Sequence, residues 1–233
     1  MTIDDADVAR HFDSIANQYD LWKQRHWYYY RALKAIAGAW SAGARHVLDV
    51  GCGTGAILAS LGESTRVGVD LSQHMTAIAK ARNISNTSFF TADIVSFSYP
   101  RQFDLVLMFD VIEHLAGPAA ALASVARLIE PGGRLVITMA NPSWEPLLLL
   151  AERLGLKMPE GPHYRISSRT LIESAEGMGL DLVKRQWRLL FPAYLPLLSF
   201  ILNDLIGRLP LLRRLSLIEV FVFERRRQPP ARR

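Results

Sequence analysis

The chain has 233 residues, half of them apolar and 21% charged, which excludes a disordered chain and suits one α/β domain with a sizeable core. Twenty-seven Lys and Arg against 22 Asp and Glu leave a net charge of +5, part of it crowded in the tail at Arg225, Arg226, Arg227, Arg232 and Arg233. No stretch reaches about 18 uncharged apolar residues, so a membrane-spanning helix is not expected, and the single cysteine, Cys52, excludes an internal disulfide.

The acidic N-terminus, Met1 to Asp7, lacks an apolar core and does not read as a signal peptide. With the lone cysteine it places the protein in the cytoplasm, or at the inner face of the membrane if the basic tail meets anionic lipid. The tail also reads as a solvated end. Nucleic acid is set aside because no aromatic residues interleave with the charges.

Residues 3–40 read as helical. Phe12, Ile15 and Tyr19 share one helical face, whereas Trp27, Tyr28, Tyr29 and Tyr30 cannot all face one side. Val47 to Val50 is a short apolar run carrying one acid, Asp49, and reads as a buried parallel strand. Gly51, Gly53 and Gly55 then allow a tight turn whose backbone can approach a ligand, and a helix over 56–62 is expected to follow. Arg66 to Asp70 reads as a strand, Ser72 caps a helix through Arg82, and Thr87 to Asp93 and Phe103 to Phe109 are further strands. Pro118 to Glu130 is a helix stopped by Pro131-Gly132-Gly133, and Arg134 to Met139 is the fifth strand. Asp104, at the start of a strand, is expected to cap backbone.

Strands alternating with short helical crossovers imply a parallel, doubly wound sheet with its ligand beyond the strands' C-terminal ends. Gly51, Gly53 and Ala56 fit a dinucleotide loop, and Asp70 follows at the distance of a ribose acid. Asp49 points elsewhere, since a carboxylate before the loop suits an ammonium better than a pyrophosphate. With Asp49, Gly51, Gly53 and Gly55 in place, the run resembles the D-x-G-x-G-x-G motif of class I S-adenosylmethionine-dependent methyltransferases. Phe109-Asp-Val-Ile-Glu-His-Leu115 resembles the D/E-x-x-E-H segment of the quinone-biosynthesis and small-molecule O-methyltransferases.

The resemblance implies an α/β, Rossmann-like, doubly wound, seven-stranded sheet, mostly parallel with an antiparallel C-terminal strand and helices on both faces. The chain would divide, within one domain, into a helical lid (1–40), a cofactor-binding core (41–140) and an acceptor side (141–233). The cofactor implied is S-adenosylmethionine. Tyr19 would close over it or serve as a core aromatic, Asp49, Gly51, Cys52, Gly53, Gly55 and Phe109 would shape its cradle, Asp70 would hold the ribose, and Leu71, Asp93 and Ile94 would hold the adenine. Glu113 and His114 would be catalytic, His114 as the base. Asp110, Glu113, His114 and His163 would be the ligands if a divalent metal were used, which is not the expectation.

In the last third, Asn141 to Trp144 is expected to line the acceptor pocket, Glu145 to Leu154 and Ser167 to Glu176 are helices, and Leu180 to Arg188 and Leu217 to Phe223 form a closing antiparallel pair. Between them lies an apolar segment, 191–215, read as a lid, an interfacial membrane contact or a homodimer surface. The partner implied is a small hydrophobic acceptor, methylated on a hydroxyl. Two rival readings stand beside it: an NAD(P)-dependent oxidoreductase and a non-catalytic, membrane-peripheral binding protein.

Overall fold

The computed structural model describes residues 4–159, 161–164 and 166–227, without the Arg208 side chain; Arg232 and Arg233 of the basic tail lie outside them. Helix α1 (Asp5–Arg25) starts on a reciprocal cap in which Asp4 and Asp7 each accept the other's backbone N–H. It ends at His26, and α2 (Trp27–Ser41) begins at once. Of the aromatic run opening α2, Tyr28 is buried and Trp27 is exposed.

Strands β1 (His46–Val50), β2 (Thr65–Asp70), β3 (Thr87–Thr91), β4 (Phe103–Phe109), β5 (Ile129–Ala140), β6 (Leu180–Arg188) and β7 (Ile218–Arg225) form one sheet in the order β3-β2-β1-β4-β5-β7-β6. The first five run parallel, and β7 is antiparallel to both β5 and β6. This is the expected fold, with one reversed strand wedged between two that share a direction.

Residue alternation along the central strands explains the burial of both sheet faces. Leu48, Val106, Met108, Phe221 and Phe223 point into one core with α4 (Pro118–Leu128) and α6 (Ser168–Gly177). Val47, Leu105, Leu107, Val220 and Val222 point into the other, against Leu33, Ile36 and Ala37 of α2. Ser72 caps α3 (Gln73–Ala81) by accepting from Met75 N–H, as its position suggested. Asp104 is likewise structural, accepting from the N–H groups of Arg45 and His46 at 2.7 and 2.9 Å.

Three local expectations fail. The helix expected over 56–62 is a single 3-10 turn, Leu58–Ser60, because only a few residues separate the glycine loop from β2 and Leu58 and Leu61 turn inward at once. Helix α4 ends at Leu128 rather than Glu130, and β5 already begins at Ile129. Its Pro-Gly-Gly stretch becomes an irregularity within the strand, where the β4–β5 register shifts between Phe103 and Leu105. Asn141 to Trp144 does not line the cavity: the Asn141 amide donates to the Arg214 and Ser216 carbonyls and pins the end of β5 to the segment before β7.

Helix α5 (Glu145–Arg153) buries no residue completely. The apolar segment after β6 folds as α7 (Pro196–Phe200), a π turn over Ile201–Leu205, and two 3-10 turns, Ile206–Arg208 and Leu212–Leu215. Among the described residues, no helix is long and apolar enough to cross a membrane.

Candidate active site

A cavity of about 360 Å³ opens beyond the C-terminal ends of β1, β2 and β4, within the range of small-molecule sites. Its floor is the glycine loop. Gly51, Gly53 and Gly55 all have left-handed φ, +68°, +52° and +75°, but they do different jobs. A Cβ on Gly51 would lie 2.3 Å from Val111 Cγ2, and one on Gly53 would meet the Tyr19 ring at 3.3 Å. A Cβ on Gly55 would strike the Phe89 ring at 2.8 Å, so this glycine lets β3 and α3 pack and does not line the cavity.

Asp49, at the end of β1, is 2% exposed and lines the cavity, and its Oδ2 has no hydrogen-bond partner. Burial lifts its carboxyl to about 7 despite the attraction of Lys23. Asp70 ends β2 and accepts from Gly53 N–H at 2.7 Å and Ser72 N–H at 2.9 Å, so it clamps the glycine loop to the start of α3. Burial raises its carboxyl, against the pull of those two donors. Leu71, Ile94, Cys52 and Phe109 also line the cavity. Asp93 does not; its carboxylate accepts from Val95 N–H at 2.8 Å in a turn after β3.

Helix α1 roofs the cavity. Phe12, Tyr19, Trp22 and Lys23 face inward, and two carboxylates hold the helix down. Asp13 accepts from Ser72 Oγ and from His74 N–H, and Asp20 accepts from Thr54 Oγ1 at 2.7 Å and from the Arg82 guanidinium. Lys23 lies over the Tyr19 and Tyr30 rings at 4.2 and 5.2 Å, with its ammonium drawn down to about 8 by burial.

The opposite end is built after β4. Asp110 takes a left-handed φ of +55°, uncommon for a residue with a side chain. Its carboxylate accepts from Tyr29 Oη at 2.6 Å and Thr138 Oγ1 at 2.8 Å, which fixes that geometry. Burial, then the nearby Asp110, push the Glu113 carboxyl up to about 8, and its Oε2 is buried without a hydrogen-bond partner. Lys157, held at about 8 mainly by burial, faces both acids. His114 Nδ1 donates to the Pro162 carbonyl at 2.9 Å, and Phe12 packs edge-on to its ring at 5.3 Å. Donation from Nδ1 leaves Nε2 as the lone-pair nitrogen, and burial depresses the imidazole to about 4, so the ring is neutral.

Among the described residues, no group of three or more His, Cys, Asp and Glu side chains is arranged to hold a metal ion. His163 is turned to its own loop, with Nδ1 at 3.2 Å from the Gly161 carbonyl, and does not line the cavity beside Asp110, Glu113 and His114. The sequence reading also passed over Lys23 and Lys157. Lys23 lies four residues after Tyr19 on the inward face of α1, a spacing that signals it; Lys157 sits in a loop, where no periodicity does.

The site fits S-adenosylmethionine. The glycine cradle rejects a Cβ at Gly51, and the buried, unpartnered Asp49 oxygen is matched to an ammonium. A sheet with one reversed strand, such a cradle after β1 and a helical roof make up the fold of the class I S-adenosylmethionine-dependent methyltransferases. The comparisons agree. The ubiquinone biosynthesis O-methyltransferase of Methylococcus capsulatus is 32% identical over 141 residues, 56% of this chain; the chain spans 60% of that relative's length. A putative methyltransferase solved in complex with the Haloferax volcanii Trm112 methyltransferase activator superposes with a TM-score of 0.71 at 18% identity, covering 95% of this chain and 99% of that one. The magnesium protoporphyrin IX methyltransferase of Synechocystis PCC 6803 with bound SAH gives 0.64 at 17% identity, covering 94% and 97%. The chain belongs to the methyltransferase-domain family, which matches residues 21–185. The oxidoreductase reading of the glycine loop loses its ground.

Proposed function

We propose that the protein transfers the methyl group of S-adenosylmethionine to a hydroxyl on a small hydrophobic acceptor. The observation that carries this is the mixed polar and apolar lining of that cavity. Asp49, Asp70 and the glycine loop share its lining with Phe12, Trp22, Leu148, Leu156 and Met158, and the neutral His114 lines it with Phe12 edge-on to its ring. The name of the Methylococcus relative supports O-methylation.

In this reading Asp49 receives the cofactor's ammonium, with Gly51, Cys52, Gly53 and Phe109 around it. Asp70 receives the ribose hydroxyls by charge-assisted bonds of ~1.5–3 kcal/mol. Leu71 and Ile94 flank the adenine. Of the 1–40 lid, whose first three residues lie outside the described ones, helix α1 is the part that covers the cavity, with Tyr19 over the cradle, latched through Asp13 and Asp20. The cofactor supplies an electrophilic methyl on sulfur.

His114 holds the acceptor hydroxyl at Nε2 and takes its proton. A base lowered to about 4 suffices if the proton leaves late, because an oxygen that has gained a methyl is an oxonium far more acidic than an imidazolium. Glu113, neutral below about 8, serves as a donor beside it rather than as a second base. Cavity closure by α1 excludes water and aligns the acceptor, which accounts for several kcal/mol of barrier. The test is incubation with methyl-labelled S-adenosylmethionine and a panel of apolar phenols, quinols, amines and thiols. Label in the ether products supports the reading; label only in amine or thiol products overturns the hydroxyl assignment.

A further inference from the structure

From the outer surface around the cavity mouth, we infer that the protein docks on an anionic lipid bilayer through α5 and the segment 191–215, and receives its apolar acceptor from that bilayer. Helix α5 is a wall with two sides. Leu148 and Ala151 face the cavity, while Leu147, Leu150 and Leu154, one stripe at i, i+3 and i+7, are each more than half exposed. The segment 191–215 shares that end of the molecule. Pro192 lines the same cavity, Tyr194 packs on Trp27 with ring centroids 4.8 Å apart, and Trp144 Nε1, just before α5, donates to the Leu215 carbonyl at 2.6 Å. Its outer face is more apolar still: Leu197 is 73% exposed and Leu211 80%. Single exposed leucines are ordinary, but so many on two elements that both line the cavity mark a contact surface.

Charge selects the occupant. Residues 188–215 carry four arginines, Arg188, Arg208, Arg213 and Arg214, against one acid, Asp204. Arg213 and Arg214 are exposed, with guanidinium carbons 5.5 and 5.9 Å from the Trp187 ring. In a two-fold homodimer this face would meet a copy of itself and oppose like charges. An anionic bilayer takes the leucines into its interface and pairs the arginines with phosphates at headgroup level. Delivery of the acceptor rests on the proposed function; docking does not.

The experiment is flotation of the full chain with vesicles of phosphatidylcholine, with and without phosphatidylglycerol, alongside titration with S-adenosylhomocysteine and sedimentation without lipid. Docking predicts binding to the phosphatidylglycerol vesicles, weakened by salt. Arg213→Ala with Arg214→Ala should weaken it about 25-fold at low salt, from roughly a fivefold contribution per arginine near an anionic surface. Leu197→Asp with Leu211→Asp should abolish it while S-adenosylhomocysteine still binds, which shows the fold intact. Absence of vesicle binding, equal binding to neutral vesicles, or a lipid-free dimer dissolved by the leucine substitutions would each overturn docking. Docking with no methyl transfer to any apolar hydroxyl would instead count against the proposed function.

Discussion

Replacing Asp49 by Asn separates the two consequences of a buried, unpartnered carboxylate at the cofactor end. Its carboxyl is lifted by burial from 3.8 to about 7. At pH 7 that shift corresponds to about 4 kcal/mol of stability withheld from the folded chain. The sign follows from proton uptake: between about pH 4 and pH 7 the folded state keeps the proton that the unfolded state releases, so stability falls as pH rises. Asn removes that loss, offset by ~1–3 kcal/mol for an amide N–H left without an acceptor. The variant should therefore equal or exceed the parent in stability at pH 7, by as much as about 3 kcal/mol, and lose the advantage near pH 4. Its affinity for S-adenosylhomocysteine should fall about 10- to 150-fold, the worth of one charge-assisted bond of ~1.5–3 kcal/mol. Because only the ionised carboxylate pairs with the ammonium, parent affinity should rise about 50-fold from pH 5 to pH 7 and variant affinity should stay flat. Calorimetric titration across pH, with thermal unfolding, reads both quantities. A variant that binds like the parent with the same pH slope refutes the ammonium assignment, and one that is less stable at pH 7 refutes the burial argument.

Asp70→Ala removes the acceptor of the Gly53 and Ser72 N–H groups along with the proposed ribose contact. It should cost at least about 10-fold in S-adenosylhomocysteine affinity, read by the same titration. His114→Asn keeps a donor near the Pro162 carbonyl but loses Nε2. Turnover should fall ~10²- to 10⁴-fold with cofactor affinity unchanged, and the parent's kcat, read with S-adenosylmethionine kept saturating so that Asp49 titration drops out, should hold until pH nears 4 rather than dropping around 6.5. The same variant should gain stability relative to the parent as pH falls from 6.5 to 4, where the unfolded imidazole takes a proton that the buried one refuses. Gly68→Ala puts a Cβ 2.6 Å from Phe89 Cδ1 and 2.8 Å from Cys52 Sγ, so thermal unfolding should show a loss of ~1–3 kcal/mol, recovered in part by Phe89→Leu.

The central sheet was legible because its strands are buried on both faces and so read as continuous apolar runs between glycine and acidic ends, as in β4; the edge strand β6 was legible from its alternation, and both begin and end where their patterns do. The glycine loop was legible because left-handed backbone needs glycine. The helix after it was not, since the same good helix formers serve a 3-10 turn when too little chain remains before β2. Pro131-Gly132-Gly133 reads as a stop in any local window, yet tertiary pairing carries β5 through it. At the site, Asp49, Asp70, Glu113 and His114 stood at strand ends where topology gathers ligands. What they do there was hidden, because burial reverses expectations drawn from ordinary pKa values: His114 is neutral and weakly basic, and Glu113 holds its proton. Asp93 matched a motif by position, but its carboxylate caps a turn. Lys157 could be found only in three dimensions.

The measurement that tests the account most directly is calorimetric titration of the purified protein with S-adenosylhomocysteine, with NAD as the control. The expected result is binding of the former at micromolar concentration and none of the latter. Binding of NAD alone, or of neither, would contradict it.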